Sequence, residues 1–350
     1  MKIGILTFHE ADSYGAVLQA YALQQTLKKL GAESQFVQIA TPAVPQPAAA
    51  PTSPAAALFA RRIQAEGKKR EALFAQFRQN HMAISRAYAP TDDIDSDFDC
   101  FIAGSDQIWN FRIPGADARY FLPFAKTEKR YSYAASFGAD DLPEKAKDWV
   151  AKQLALFKGI SVREEKGCHI VSQLTGKTAQ VCVDPTMLLA PADWEALAGE
   201  AAPEPYVLLF MLKYDPELMA AAKAEAEKRG VPLKVVTAGF MPQAGMEAWN
   251  TTGVTQWLSA IRGAQCVFTN SFHGTVFTLI FGRGLHVQRL TGELSSRNGR
   301  IDELLAFLGL TDALDGVAEP DREQVWALLE ERCNASMEYL RRIVNDTAGK

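Results

Sequence analysis

The sequence is poor in cysteine and histidine, with five of each among 350 residues, and it contains no C-x-x-C pair. Cys100, Cys168, Cys182, Cys266 and Cys333 are odd in number and far apart, which disfavours a disulfide framework or a zinc ribbon. Cys100, Cys182 and Cys266 lie in apolar, strand-like runs, where a free thiol behaves as a small hydrophobe. A reducing cytoplasm is therefore the expected compartment. His81, His169 and His286 lack metal-ligand spacing, and Asp95-Ser96-Asp97 precedes a strand without further ligands, so no metal is expected. No run of about 18 apolar residues occurs, so no transmembrane segment is expected. The opening run Lys2 to Phe8 is too short for a signal sequence. A surplus of one charge is missing too. A formal net charge of -4 gives no global attraction to nucleic acid or acidic membranes, and an anionic substrate would need a local basic site.

What is present is a strand-helix rhythm, long enough for two cores. Strands are expected over Lys2–Phe8, Ser34–Ile39, Asp99–Ala103, Arg130–Ala135, Gly159–Val162 and Gln180–Val183. Helices are expected over Val17–Leu30, Leu58–Asn80, Glu144–Phe157 and Glu164–Leu174. Such alternation predicts parallel sheets with crossover helices. Thr41 to Ala57, rich in Pro and Ala, reads as a flexible surface insertion, a partner-docking polyproline segment being the alternative. Asp184-Pro185 and the stretch Ala190 to Pro205 break the rhythm, which restarts at Tyr206. The reading is a first α/β domain over 1–190, a second over 205–318, and a helix over 320–348 that packs back on the first.

In parallel sheets, ligands bind at the carboxyl ends of strands, and five such places carry unusual residues. Asp12 to Ala16, with Tyr14 and Gly15, forms the first strand-to-helix turn. It lacks G-x-G-x-x-G, which argues against a nicotinamide cofactor; the alternatives are a substrate loop and a helix start capped by Ser13. In Gly104-Ser105-Asp106-Gln107-Ile108-Trp109-Asn110, Asp106 and Asn110 offer hydrogen bonds to hydroxyls and Trp109 a flat face for a sugar. A core tryptophan is the other reading. Arg163 ends a strand, where its guanidinium suits a phosphate or carboxylate; a salt bridge to Glu164 or Asp184 is the plainer option. In Thr269-Asn270-Ser271-Phe272-His273-Gly274, Asn270 or Ser271 caps a helix whose first amides suit an anion, and Gly274 leaves room for it. His273 at that mouth suits proton transfer. Arg297 and Arg300, in a polar loop before a helix, are placed to close over phosphate or to remain solvated.

These segments, in this order, resemble the polysaccharide pyruvyl transferase family. The matching stretches are YGAVLQAYAL from Tyr14, GSDQIWN from Gly104, YAASFG from Tyr133 and SVREEKG from Ser161. VDPTMLL from Val183, TNSFHGTVF from Thr269 and SRNGRIDELL from Ser296 complete the set. The resemblance implies two Rossmann-like domains in a glycosyltransferase-B-like arrangement with an interdomain cleft. It implies transfer of a pyruvyl group from phosphoenolpyruvate to sugar hydroxyls of a polysaccharide or its lipid-linked precursor, giving a ketal. Arg163 and His273 carry over as donor-binding and proton-transfer residues. The chemistry then asks for cations (Arg163, with Arg297 or Arg300), a proton donor (His273) and a base or orienter for the hydroxyl (Asp106), without metal or cofactor. Ser13 and Asn270 depart from the family pattern, where Asn and Asp are usual. A nucleotide-sugar glycosyltransferase and a non-catalytic glycan- or anion-binding module are the competing functions.

Overall fold

The computed structural model describes residues 1–40, 53–89, 91–112, 117–139, 141–202, 204–237, 247–248 and 252–349. The first sheet contains β1 (Lys2–Leu6), β2 (Glu33–Ile39), β3 (Ile84–Tyr88), β4 (Cys100–Ala103) and β5 (Arg130–Ser132), in the order β3-β2-β1-β4-β5. Every pairing is parallel. Helices α1 (Tyr14–Lys29) and α2 (Pro54–His81) make its crossovers. Beyond them come α3 (Glu144–Ala155) and a short parallel pair, β6 (Ser161–Val162) and β7 (Gln180–Val181), joined by α4 (Glu165–Thr175). Isolated bridges Tyr131 to Gly159 and Ala135 to Val162 set β6 alongside β5.

Helix α5 (Pro191–Ala198) leads to a second parallel sheet, ordered β10-β9-β8-β11-β12. Its strands are β8 (Val207–Met211), β9 (Leu233–Thr237), β10 (Glu247–Ala248), β11 (Cys266–Thr269) and β12 (Gly284–Val287). The helices of this half are α6 (Pro216–Arg229), α7 (Val254–Gly263), α8 (Phe272–Ile280), α9 (Gly299–Leu308) and the long α10 (Arg322–Ala348). None of the described helices is long and apolar enough to cross a membrane. Residues 41–52 of the Pro/Ala tract lie outside the described residues. Its last residues, from Pro54, are helix rather than loop, because proline fits a first helical turn and alanine favours the turns after it.

The halves share one continuous apolar cluster. Helix α1 carries buried residues all round, as expected for a helix packed on both sides. Tyr14 stacks on Trp257 of α7 with ring centroids 5.0 Å apart, and its hydroxyl donates to the Thr252 carbonyl at 2.7 Å. Trp194 of α5, fully buried, meets Tyr21 of α1 and Phe277 of α8. Helix α10 returns to the first half, where Tyr339 donates to the Ser132 carbonyl and Ser336 accepts from the Val183 amide, each at 3.0 Å. Parallel strands and this shared core bring the carboxyl ends of β1, β4 and β11 to one cleft.

Candidate active site

The cleft encloses about 500 Å³. The β1–α1 turn (Glu10 to Ala16), Asp106 and Gln107 line one side, Asn270 to His273 the other, with Arg297 and Arg300 beside them. Strand β11 ends at Thr269, and Ser271, in extended geometry, caps α8 by accepting from the Gly274 amide at 3.2 Å. That cap fixes His273 in the first turn, where backbone amides have no partner inside the helix. Asn270 uses both ends of its amide, accepting from Leu212 N at 2.8 Å and donating to the Lys213 carbonyl at 2.8 Å. A carboxylate there would lose the second bond, which accounts for asparagine at this position.

His273 is held from two sides. A Cβ on Gly15 would overlap the imidazole, so the first-half turn must be glycine for the ring to sit where it does. On its other side, Nε2 lies 3.5 Å from Oδ2 of Asp184. Asp184 is fully buried and serves four partners: Arg163 Nη1 at 2.7 Å, Ser105 Oγ at 3.3 Å, and the amide and hydroxyl of Thr186 at 3.1 and 2.8 Å. Burial alone would raise this carboxyl, but His273, Arg163 and the Thr186 amide outweigh it and hold it well below the usual carboxylate range.

Three arginines meet three carboxylates around this pair. Arg163, with 3% of its side chain exposed, ion-pairs with Asp184; Asp106 and Glu164 follow at 3.7 and 3.8 Å. Burial opposes its charge, yet the three carboxylates prevail and raise its guanidinium above the ordinary value. Arg300 lies 3.8 Å from Glu164, and burial, then the like charge of Arg163, push it below the ordinary range. With its carboxamide turned oxygen toward the cation, Gln107 accepts from Arg300 Nη1 at 3.2 Å. Arg297 is lowered by burial, with Asp106 opposing. Arg163 and Arg300 both lie over the Phe272 ring, at 5.0 and 5.3 Å.

The structure thus brings His273, Asp106, Arg297, Arg300, Asn270, Ser271, Tyr14 and Gly15 to one cleft. Other residues of the sequence-based set sit elsewhere. Trp109 is 1% exposed among Phe121, Phe137 and Phe157 and offers no face to a sugar, because the aromatic core takes both sides of its ring. Asn110 is buried and accepts from the Arg112 amide at 2.9 Å, leaving no reach to a hydroxyl. Ser105 is buried against Asp184. Gly274 makes room for Thr269 and Phe210 rather than for an anion, since a Cβ would strike both. The guanidinium of Arg163 belongs to the buried ion cluster and does not line the cleft. Ser13 occupies the N-cap of α1 without a side-chain cap bond.

Asp184, Gln107, Glu164 and Phe272 stand outside that sequence-based set. Each lies in one of the family-like stretches; the plainer reading of Arg163, a salt bridge to Asp184 or Glu164, is what the structure shows, whereas the contact of Asp184 with His273 appears only in the tertiary structure. Among the described residues no group of three or more His, Cys, Asp or Glu is placed to hold a metal ion.

Two parallel α/β units with strand ends turned to a shared cleft define a Rossmann-like fold in glycosyltransferase-B arrangement. The fold is also that of UDP-GlcNAc 2-epimerase from Methanocaldococcus jannaschii, at TM-score 0.51 and 10% identity over 95% of this chain and 99% of that one. The Neisseria meningitidis UDP-GlcNAc 2-epimerase gives TM-score 0.49 and 10% identity, covering 96% and 100%. A Streptomyces sp. SF2575 glycosyltransferase complexed with thymidine diphosphate gives 0.40 and 14%, covering 100% and 96%. No curated relative matches significantly by sequence. The family model for polysaccharide pyruvyl transferase matches residues 14–284, and the chain belongs to that family, a family of transferases.

Proposed function

We propose that this transferase moves a pyruvyl group from phosphoenolpyruvate to two hydroxyls of a saccharide, free or lipid-linked, forming a ketal and releasing inorganic phosphate. The observation that carries this reading is His273, backed by Asp184, in one cleft with Arg297 and Arg300, two guanidinium groups that burial lowers. Phosphoenolpyruvate bears a carboxylate and a phosphate on one carbon. Arg300 and Arg297 hold these groups, and His273 protonates the methylene to leave an oxocarbenium-like centre. Asp106, held in left-handed backbone geometry at φ 74°, orients the attacking hydroxyl. Two carbon–oxygen bonds to the saccharide form and the bond to phosphate breaks. One hydroxyl proton is balanced by the new methyl, the other by the departing phosphate. Guanidinium groups meet the donor's charge, so the reaction as proposed uses no metal.

The test is phosphate release from phosphoenolpyruvate in EDTA-containing buffer with saccharide acceptors, alongside carbon-13 detection of the ketal carbon. His273→Ala should lower turnover by roughly 10²- to 10⁴-fold while the protein stays folded. Full activity of that variant would remove the assignment. Tight binding of a nucleoside diphosphate without phosphate release would favour sugar-nucleotide chemistry instead.

A further inference from the structure

Behind the cleft lies a second cavity, of about 630 Å³, bounded by β7, α9 and α10. Its deep end holds the buried Arg163, Asp184 and Phe272, together with Arg300, and its rim holds the exposed Glu303 and Arg332. Val181, Leu304, Phe307 and Leu329 form apolar walls between. Neither His273 nor the β1–α1 turn lines it; among the described residues the two spaces have only Phe272 and Arg300 in common. Phe272 is therefore a partition, with a guanidinium against its ring at 5.0 and at 5.3 Å.

The deep end has donors to spare. Nε and Nη2 of Arg163 and Nε of Arg300 have no hydrogen-bond partner, although 3% and 10% of these side chains are exposed. Their nearest carboxylate oxygens stand at 3.7 to 3.8 Å, beyond hydrogen-bond reach. Buried donors left unmet are unfavourable, and a tetrahedral oxyanion fits a guanidinium fork. Three arginines and three carboxylates balance locally, so an anion there is held by directional N–H groups rather than by surplus charge. The apolar walls offer it no further hold. Such a place suits an ion that must leave.

We propose that this rear cavity is a second oxyanion site, which receives inorganic phosphate across Arg300 and releases it on the face away from the cleft. The source of the phosphate rests on the pyruvyl transfer proposed above. A saccharide seated in the front cleft would obstruct the departing ion there, whereas the rear opening stays clear.

The site is tested without turnover, by soaking crystals of the whole chain with tungstate and titrating the protein with inorganic phosphate. An anomalous peak on Arg163 and Arg300 from the rear side is expected. Trp in place of Ala306 and Ala335, both exposed lining residues outside the cleft, should remove that peak and weaken phosphate binding by about tenfold. Tungstate confined to the front cleft, or phosphate affinity unchanged in the folded double variant, would overturn the site. If the double variant does not fold, the tungstate position in the unaltered chain decides alone. Rear-site binding in a chain that releases no phosphate from phosphoenolpyruvate would support the site and contradict the pyruvyl-transfer reading.

Discussion

Arg163 and Arg300 lie against the same phenyl ring, and both are nearly buried, yet they differ in balance. Arg163 directly follows β6, with a carboxylate at 2.7 Å and two more within 3.8 Å, and its guanidinium is raised. Arg300 opens α9 with one carboxylate at 3.8 Å and a like charge beside it, and its guanidinium is lowered. A buried cation that already has its counter-ion holds the fold, and a ligand can meet only its remaining N–H groups. One that lacks a counter-ion is available to a ligand. Position at a strand end, the feature that marks Arg163 in the sequence, does not separate these cases; the partners do.

The largest expected effect tests that division through stability. Arg163→Met strands Asp184 without its ion pair and should destabilise the protein by about 3–5 kcal/mol, read by denaturant unfolding. Arg300→Met removes a poorly compensated charge and should change stability by less than about 1 kcal/mol. Equal losses would erase the distinction. Next is Gly15→Ala, whose methyl would displace the imidazole of His273. Turnover should fall roughly 10²-fold while unfolding changes little, and an unchanged rate would show that the ring position is not critical.

The smallest effect is a pH slope. A carboxyl depressed in the folded state stabilises the fold above its unfolded value, near 3.9, and loses that contribution as the pH falls below it. Melting temperature should therefore drop between about pH 5 and pH 3, and more steeply in the native chain than in Asp184→Asn, which has no proton to gain there. Parallel slopes would mean that Asp184 is not held ionised by Arg163 and His273.

Much of the fold was legible because strand-helix alternation and turn residues act locally. The strands around Cys100 and Cys266 and the Ser271 cap of α8 required nothing from distant residues. Strand β3 was not legible: ISRAY is short and lacks clear alternation, and it forms only as a partner of β2. Within the site, His273 could be read because a helix mouth is a sequence feature. Asp184 could be read as a salt-bridge partner of Arg163, 21 residues away, but its place beside His273 could not, because that contact comes from the other half. Trp109 misled for the opposite reason. A tryptophan beside polar residues has the same sequence signature whether its ring meets a sugar or, as here, three phenylalanines.

The most direct test of the account is donor binding and turnover in Arg163→Lys and Arg300→Lys, measured with phosphoenolpyruvate under one set of conditions. Lysine keeps the charge and loses the planar fork. The account predicts that Arg300→Lys weakens donor affinity by about tenfold or more at nearly native melting temperature, whereas Arg163→Lys lowers the melting temperature and kcat with KM close to native. Loss of donor affinity confined to Arg163→Lys, with Arg300→Lys indistinguishable from the native chain, would contradict it.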